Sequence, residues 1–277
     1  ITPEAIEELK KIYGLDKPLY IQFFSWIYSI LQLDFGISFT SGEKVKEEIL
    51  SRIPITLTIN IVSMILIFII SLYFGIKSAM KKNSIFDRFT NQLSLLSFSM
   101  PSFYLALVLV LVFSIKFELF PIAGLHSVPN DGSLNYYLDF AWHLTLPIFI
   151  IVFGGIGSLI LYIRALTIEI LKSDYIFFAR ARGLDNKKIL RYYILPNLYP
   201  PVITLLGLSL PGIIGGSVIL ETIFSIDGMG LLFYQSALSH DYPVIMGILI
   251  IGAFLTLIGN MFADLILLKL NPNYNEK

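Results

Sequence analysis

Cysteine is absent from all 277 residues, which removes disulfides, thiolate metal ligands and cysteine nucleophiles together. Charge is scarce: 14% of residues are Asp, Glu, Lys or Arg, against about a quarter in soluble domains. Neither sign is in excess, with 20 basic and 20 acidic residues, so bulk charge offers no case for a nucleic-acid partner. The sequence has no phosphate-binding P-loop, HExxH or Gly-x-Ser-x-Gly elbow, and hence no catalytic residues to assign. Histidine is limited to three positions, His126, His143 and His240, in or beside polar connections. Solvated loop histidines are the simpler reading of these, and no metal site is expected.

What remains is hydrocarbon. Apolar residues make up 56% of the chain, and the mean hydropathy is +0.76. Five stretches reach the length a bilayer demands, about 20 apolar residues each: Ile55–Ile76, Leu93–Ile115, Leu144–Ile163, Val202–Leu220 and Val244–Leu268. They predict an all-α polytopic membrane bundle. Pro101 and Pro211 fall inside two of the spans and are tolerable where neighbours satisfy the freed backbone. Gly154 with Ser158, and Gly212 with Gly216, place small residues one helical turn apart for close helix approach.

Basic residues set the orientation. The first connection carries Lys77, Lys81, Lys82 and Arg88, and the third, from Arg164 to Arg191, carries seven. The second carries only Lys116 and the fourth, Glu221 to Pro243, none. The asymmetry predicts that the first and third connections, and the tail 271–277, are cytoplasmic. Residues 1–54 then lie outside, which calls for a further span upstream of Ile1, six in all. That outer segment reads as short helices: Pro3–Gly14, Pro18–Leu31 with the interfacial aromatics Phe23, Phe24, Trp26 and Tyr28, and Lys44–Arg52. Residues 55–270 form the membrane domain.

Within the apolar half lies one ordered polar interruption, Asp174–Pro201. It carries Arg180, Arg182, Lys187, Lys188 and Arg191 against Asp174 and Asp185. Ser173 or Asp174 caps a helix from Tyr175 to Arg182, Gly183 supplies a left-handed stop, Asp185 caps a second helix and Pro196 ends it. Anionic lipid needs only the positive charge; a protein partner needs the fixed geometry as well. Arg164, at the foot of the third span, reads as a headgroup anchor. Glu169, Glu221 and Asp264 lie near span ends, where each can reach water. Ser97, Ser99, Ser102, Ser209, Ser217 and Glu221 are candidates to line a pathway, and the serines serve equally well as glue between helices.

This loop resembles the cytoplasmic signature of ATP-binding-cassette importer membrane subunits, Glu-Ala-Ala, three residues, Gly, nine residues, Ile-x-Leu-Pro. Ala179, Gly183, Leu195 and Pro196 fall on that frame, while Phe177, Phe178 and Tyr193 depart from it. The variant DYxxxARARGL (Asp174, Tyr175, Ala179, Arg180, Ala181, Arg182, Gly183, Leu184) is similar to the dipeptide, oligopeptide and nickel permease branch. So are DFGISF, SMPSFYLAL, GGSVILETIFSIDGMG and DYPVIMGI, whereas the ending NPNYN departs from the usual Asp-Pro-Arg. The resemblance spans nearly the whole chain.

It implies a multi-pass subunit of the cytoplasmic membrane that forms half of a translocation pathway for peptides, with nickel as the alternative. Its implied partners are a second homologous permease, two cytoplasmic ATPase subunits and an external solute-binding protein. ATP and Mg would be bound by the ATPases and no cofactor by this chain. The loop 174–200, Lys187 included, would be the coupling element on the ATPase. An ion-driven secondary transporter working through Glu221 or Asp264 is the competing class, and it leaves the ordered basic loop unexplained.

Overall fold

Without water to hydrogen-bond the backbone, an apolar chain must satisfy its amides internally, and a helix does so within one segment. The computed structural model describes residues 17–213 and 216–270, so the expected helix Pro3–Gly14 and the tail 271–277 lie outside the described residues. Among the described residues there is no strand; a single isolated bridge pairs Ile37 with Lys44.

Helix α1 (Leu19–Leu31) follows Pro18 and buries none of its residues. The expected short helix Lys44–Arg52 and first span Ile55–Ile76 are one helix, α2 (Val45–Met80). Pro54 sits inside it without ending it. Thr58 Oγ1 donates to the Pro54 carbonyl at 2.8 Å, so a side chain serves the backbone at the proline turn.

The second expected span is bent. α3 (Ile85–Ser99) is capped by Ser84 Oγ, which accepts from the Asp87 amide. α4 (Ser102–Leu109) continues into a π-helical stretch, Val110–Lys116. The two halves meet at 99°. Proline disfavours helical backbone in the residue before it, and Met100 is extended (φ −86°, ψ 120°), while Pro101 starts the next helix. The bend therefore has a local cause.

α5 (Leu134–Leu171) runs for 38 residues with Pro147 inside. The polar loop follows as α6 (Asp174–Ala181), α7 (Asn186–Ile189), a π-helical stretch (Leu190–Ile194) and α8 (Leu195–Ser209). The expected span Val202–Leu220 is not continuous: α8 passes into a 3₁₀ turn (Leu210–Ile213), and a new helix, α9 (Val218–Ile223), begins beyond Gly216. α10 (Met229–Leu238) and α11 (Tyr242–Leu270) complete the chain. By length and composition α2, α5 and α11 suffice to cross a membrane, or four spans if α3–α4 counts as one. Five continuous spans are thus not seen among the described residues.

Helices in lipid gain little from hydrophobicity against each other, so close backbone approach and packing decide the bundle. A Cβ added at Gly75 would lie 2.8 Å from Ile163 Cγ2, and one at Gly157 2.5 Å from the Ser94 carbonyl. Those glycines bring α2 and α3 against α5. The pairs expected to do so do not: a Cβ at Gly154 or Gly212 would meet nothing within 4 Å, and Ser158 faces a cavity.

Candidate functional site

The loop between α5 and α8 is built from capped turns. Arg182 ends α6 and Gly183 adopts φ +78°, the conformation a side chain resists. The Leu184 amide donates to the Ala179 carbonyl at 3.2 Å and the Gly183 amide to Arg180 at 2.9 Å. This pair of bonds is a Schellman stop. Asp185 caps α7, its carboxylate accepting from the Lys188 amide at 3.0 Å. Ser173 occupies the cap position of α6, but its hydroxyl donates back to the Ile170 carbonyl. Pro196 does not end the second helix. It stands in the first turn of α8, where a missing N–H costs least. The Asn197 side-chain amide meets the Tyr193 carbonyl at 2.6 Å.

The inner face of this loop is locked. Ile176, Ile189, Ile194 and Leu198 are buried in one cluster with Phe68 and Ile76 of α2 and Ile163 of α5, and Ala179 is buried beside them. Leu184 and Leu195 are half-buried. Asp174, Tyr175, Arg180, Ala181, Arg182, Lys187 and Pro196 are exposed, as are Lys188 and Arg191. Between the cations stand Phe177 and Phe178, 70% and 63% exposed, in edge-on contact. Two exposed phenylalanines on a short helix amid basic side chains form an apolar patch rimmed by positive charge, the composition of a docking surface.

Deeper in the bundle is a cavity of about 340 Å³ between α2, α5 and α8. Its polar lining is Asn60, Ser63, Ser158 and Ser209, and no charged side chain reaches it. The Ser63 hydroxyl is buried without a partner. Ser209 Oγ donates to the Leu205 carbonyl, and the Asn60 amide to the Ile213 carbonyl at 2.6 Å. Beside it lies a gap of about 10 Å³ lined by Thr56, Ser217 and Glu221, of which Glu221 is buried. Ser209 thus lines the cavity, and Ser217 and Glu221 line the neighbouring gap. Ser97 is buried elsewhere, bonded to the Phe153 carbonyl across α3 and α5, and Ser99 and Ser102 are exposed at the α3–α4 bend.

Two sequence readings need correction. Arg164 does not reach for headgroups. Its Nε and Nη2 grip Asp87 at 2.7 and 2.9 Å, and Ser78, Asn91 and the Asn83 amide complete the carboxylate's shell. Nothing in the sequence signals this pair, whose members lie 77 residues apart. His143 is not solvated either. It is buried, with Nε2 3.1 Å from Ser127 Oγ and Nδ1 2.8 Å from the Asp139 carbonyl, and His126 stacks on Tyr136 at 3.9 Å. Glu169 and Asp264 are exposed, and no metal-binding group of three acidic or histidine side chains forms among the described residues.

Comparison with known proteins gives the same direction. The model for "Binding-protein-dependent transport system inner membrane component" matches residues 71–276. The oligopeptide transport system permease protein AppB of Bacillus subtilis (strain 168) is 37% identical over 96% of this chain and 84% of its own. The metal-staphylopine import system permease protein CntB of Staphylococcus aureus (strain Mu50 / ATCC 700699) is 31% identical over 100% of this chain and 84% of its own. A chain of the MetNI methionine ABC transporter, solved in inward-facing conformations, superposes with a TM-score of 0.63 at 17% identity, covering 80% of this chain and 96% of that one. At that identity the superposition speaks for the fold alone. The long relatives and the family match together settle the assignment: this chain belongs to the binding-protein-dependent transport system inner membrane components, an integral membrane family.

Proposed function

We propose that this chain forms half of the membrane pathway of an ATP-driven importer of peptides. The observation that carries the proposal is the loop of α6 and α7. One face is packed against α2 and α5, and the other presents Phe177, Phe178 and five cations, all exposed. A rigid short helix passes displacement on where a floppy loop would absorb it. The partner that fits is a cytoplasmic ATPase, one of a pair carrying ATP and Mg, with the loop in its groove. Closure of the ATPase pair would then shift α6 and with it α5 and α8, biasing two packings of one bundle and so alternating access. A second homologous permease faces the cavity wall of Asn60, Ser63, Ser158 and Ser209. An external binding protein delivers the ligand at the opposite end, where residues 17–54 lie.

Peptide is the substrate class on two grounds. AppB, at 37% identity, is named for oligopeptides. The cavity offers hydroxyl, amide and apolar groups without a charge, which suits a chain of amides. A metal chelate is the second reading, favoured by the likeness to CntB.

Cysteines placed at Arg180 or Lys187 are expected to crosslink to the ATPase subunit in assembled transporter, a clean experiment because this chain has no cysteine. Labelling of those cysteines from outside intact cells would overturn the orientation. Uptake in proteoliposomes that continues without ATPase subunits and follows an ion gradient would overturn the importer reading itself.

A further inference from the structure

The break after α8 is organised by one carboxylate. α10 begins at Gly228 with no side-chain cap of its own, which leaves its first-turn amides to be met from other elements. The Gly228 amide donates to the Ile226 carbonyl at 2.9 Å, and the Met229 amide to Thr56 Oγ1 of α2 at 2.9 Å. The Leu231 amide donates to Glu221 Oε2 at 2.7 Å, and the Gly230 amide faces the same carboxylate.

The seat is made of glycine. A Cβ at Gly228 would fall 2.7 Å from the Glu221 carboxyl carbon, and one at Gly230 3.1 Å from Oε2. Gly216, at φ +63°, would collide with Oε1. Glu221 is thus wedged between the turn at 216–217 and the start of α10, and the Met229 amide separately ties that start to Thr56 of α2.

The position of this wedge matters. The cavity and the gap beside Glu221 share Asn60 of α2 and Ile151 of α5. From there the cavity lining runs on through Ser63, Met64 and Phe68 and through Gly155 and Ser158, whereas the gap runs the other way, to Thr56 and Ile59 and to Pro147. Both shifts lead away from the loop of α6, towards the other end of the bundle. Over that step the free volume drops from about 340 Å³ to about 10 Å³, room for about one water.

We propose that Glu221 is the positioning residue of an external closure: by capping α10 from its glycine seat it holds the segment Gly216–Gly230 across the outer end of the cavity. The assignment of "outer" rests on the orientation given under Proposed function. In transport the closure must release, and because Leu220, Phe224 and Ile226 also pack in one core with Ile55 and Ile59 of α2 and Ile150 of α5, release is tied to movement of those helices.

The test uses the assembled transporter in membrane vesicles, with Ser209→Cys as a reporter in the cavity and a membrane-impermeant maleimide as probe. Glu221→Ala removes the acceptor and is expected to raise labelling from the external side, without nucleotide, by roughly tenfold or more. It should also lower uptake while ATP hydrolysis persists. Glu221→Gln keeps an oxygen for the Leu231 amide and is expected to label close to the unsubstituted background, a rescue that loss of charge alone would not give. Unchanged external labelling in an inserted, assembled Glu221→Ala transporter overturns the proposal. Should that variant fail to assemble, Gly228→Ala displaces the carboxylate by its added Cβ and carries the same two outcomes. A second reporter at Arg180 separates the failures: its labelling from outside overturns the orientation, and the closure with it.

Discussion

Asp87 and Arg164 pose an energetic question at the level of single residues. The Asp87 side chain is 4% exposed and that of Arg164 21%, so both give up most of their water. Desolvation of an ion pair often cancels its attraction, and a fully satisfied shell is what tips the balance. Asp87 has that shell, with Ser78, Asn83, Asn91 and a two-pronged guanidinium. The pair ties the start of α3 to α5, ten residues before α6 begins at Asp174. Asp87→Leu alone strands a buried guanidinium and is expected to cost about 3–5 kcal/mol. Combining it with Arg164→Met should recover most of that loss. Thermal unfolding in detergent of both single variants and the double variant measures the coupling. Additive losses would show that the two side chains stabilise the bundle separately. Neither residue reveals its partner in sequence, because the contact is made by helix packing and not by spacing along the chain.

Individual elements divide sharply into legible and illegible. Stops and caps that act within a few residues were readable: Gly183 closes α6, and Asp185 opens α7. Proline is a weaker guide: Pro196, expected to end a helix, stands in the first turn of α8, and Pro54 and Pro147 sit inside continuing helices. Pro101 does break its helix, and the segment turns through 99°. The break between α8 and α9 is marked in sequence by Pro211, Gly212, Gly215, Gly216 and Ser217, but hydropathy alone runs through it as a span. The glycine seat around Glu221 was present in sequence as GGSVILETIFSIDGMG, yet only the fold shows that Gly216, Gly228 and Gly230 surround one carboxylate.

The α6 stop gives the test at this scale. A Cβ at Gly183 would meet nothing within 4 Å, so any penalty there comes from backbone conformation alone. Gly183→Val is expected to strain the turn by about 1–3 kcal/mol and to lower uptake per ATP hydrolysed. Gly183→Asn, which tolerates positive φ, should keep most of the coupling. Equal uptake per ATP in both variants would remove the Schellman turn from the coupling mechanism.

At the scale of the whole molecule, the end remote from the loop of α6 is closed by contacts between chain segments some two hundred residues apart. Ser38 Oγ donates to Asp241 Oδ2 at 2.5 Å, the Thr40 amide donates to the same oxygen at 3.0 Å, and Thr40 Oγ1 donates to Ser239 Oγ at 3.1 Å. The loop before α2 is thereby strapped to the corner between α10 and α11. Burial pushes the Asp241 carboxyl up, but the Ser38 hydroxyl and the Phe39 and Thr40 amides outweigh it and hold the group below its ordinary value. The sign follows from linkage: a carboxyl held low stabilises the folded strap above the ordinary carboxylate range, and that stabilisation is lost as pH falls through the lowered value. The strap is therefore expected to be complete at neutral pH and to loosen only in strong acid. Hydrogen exchange measures this directly at the Thr40 amide. Its protection at neutral pH should fall roughly tenfold or more in Asp241→Ala, which removes a charged acceptor. In the unsubstituted protein the same amide should lose protection below the carboxylate range while the amides in the middle of α5 keep theirs. Loss of both together would place the acid sensitivity in the bundle as a whole and not in Asp241.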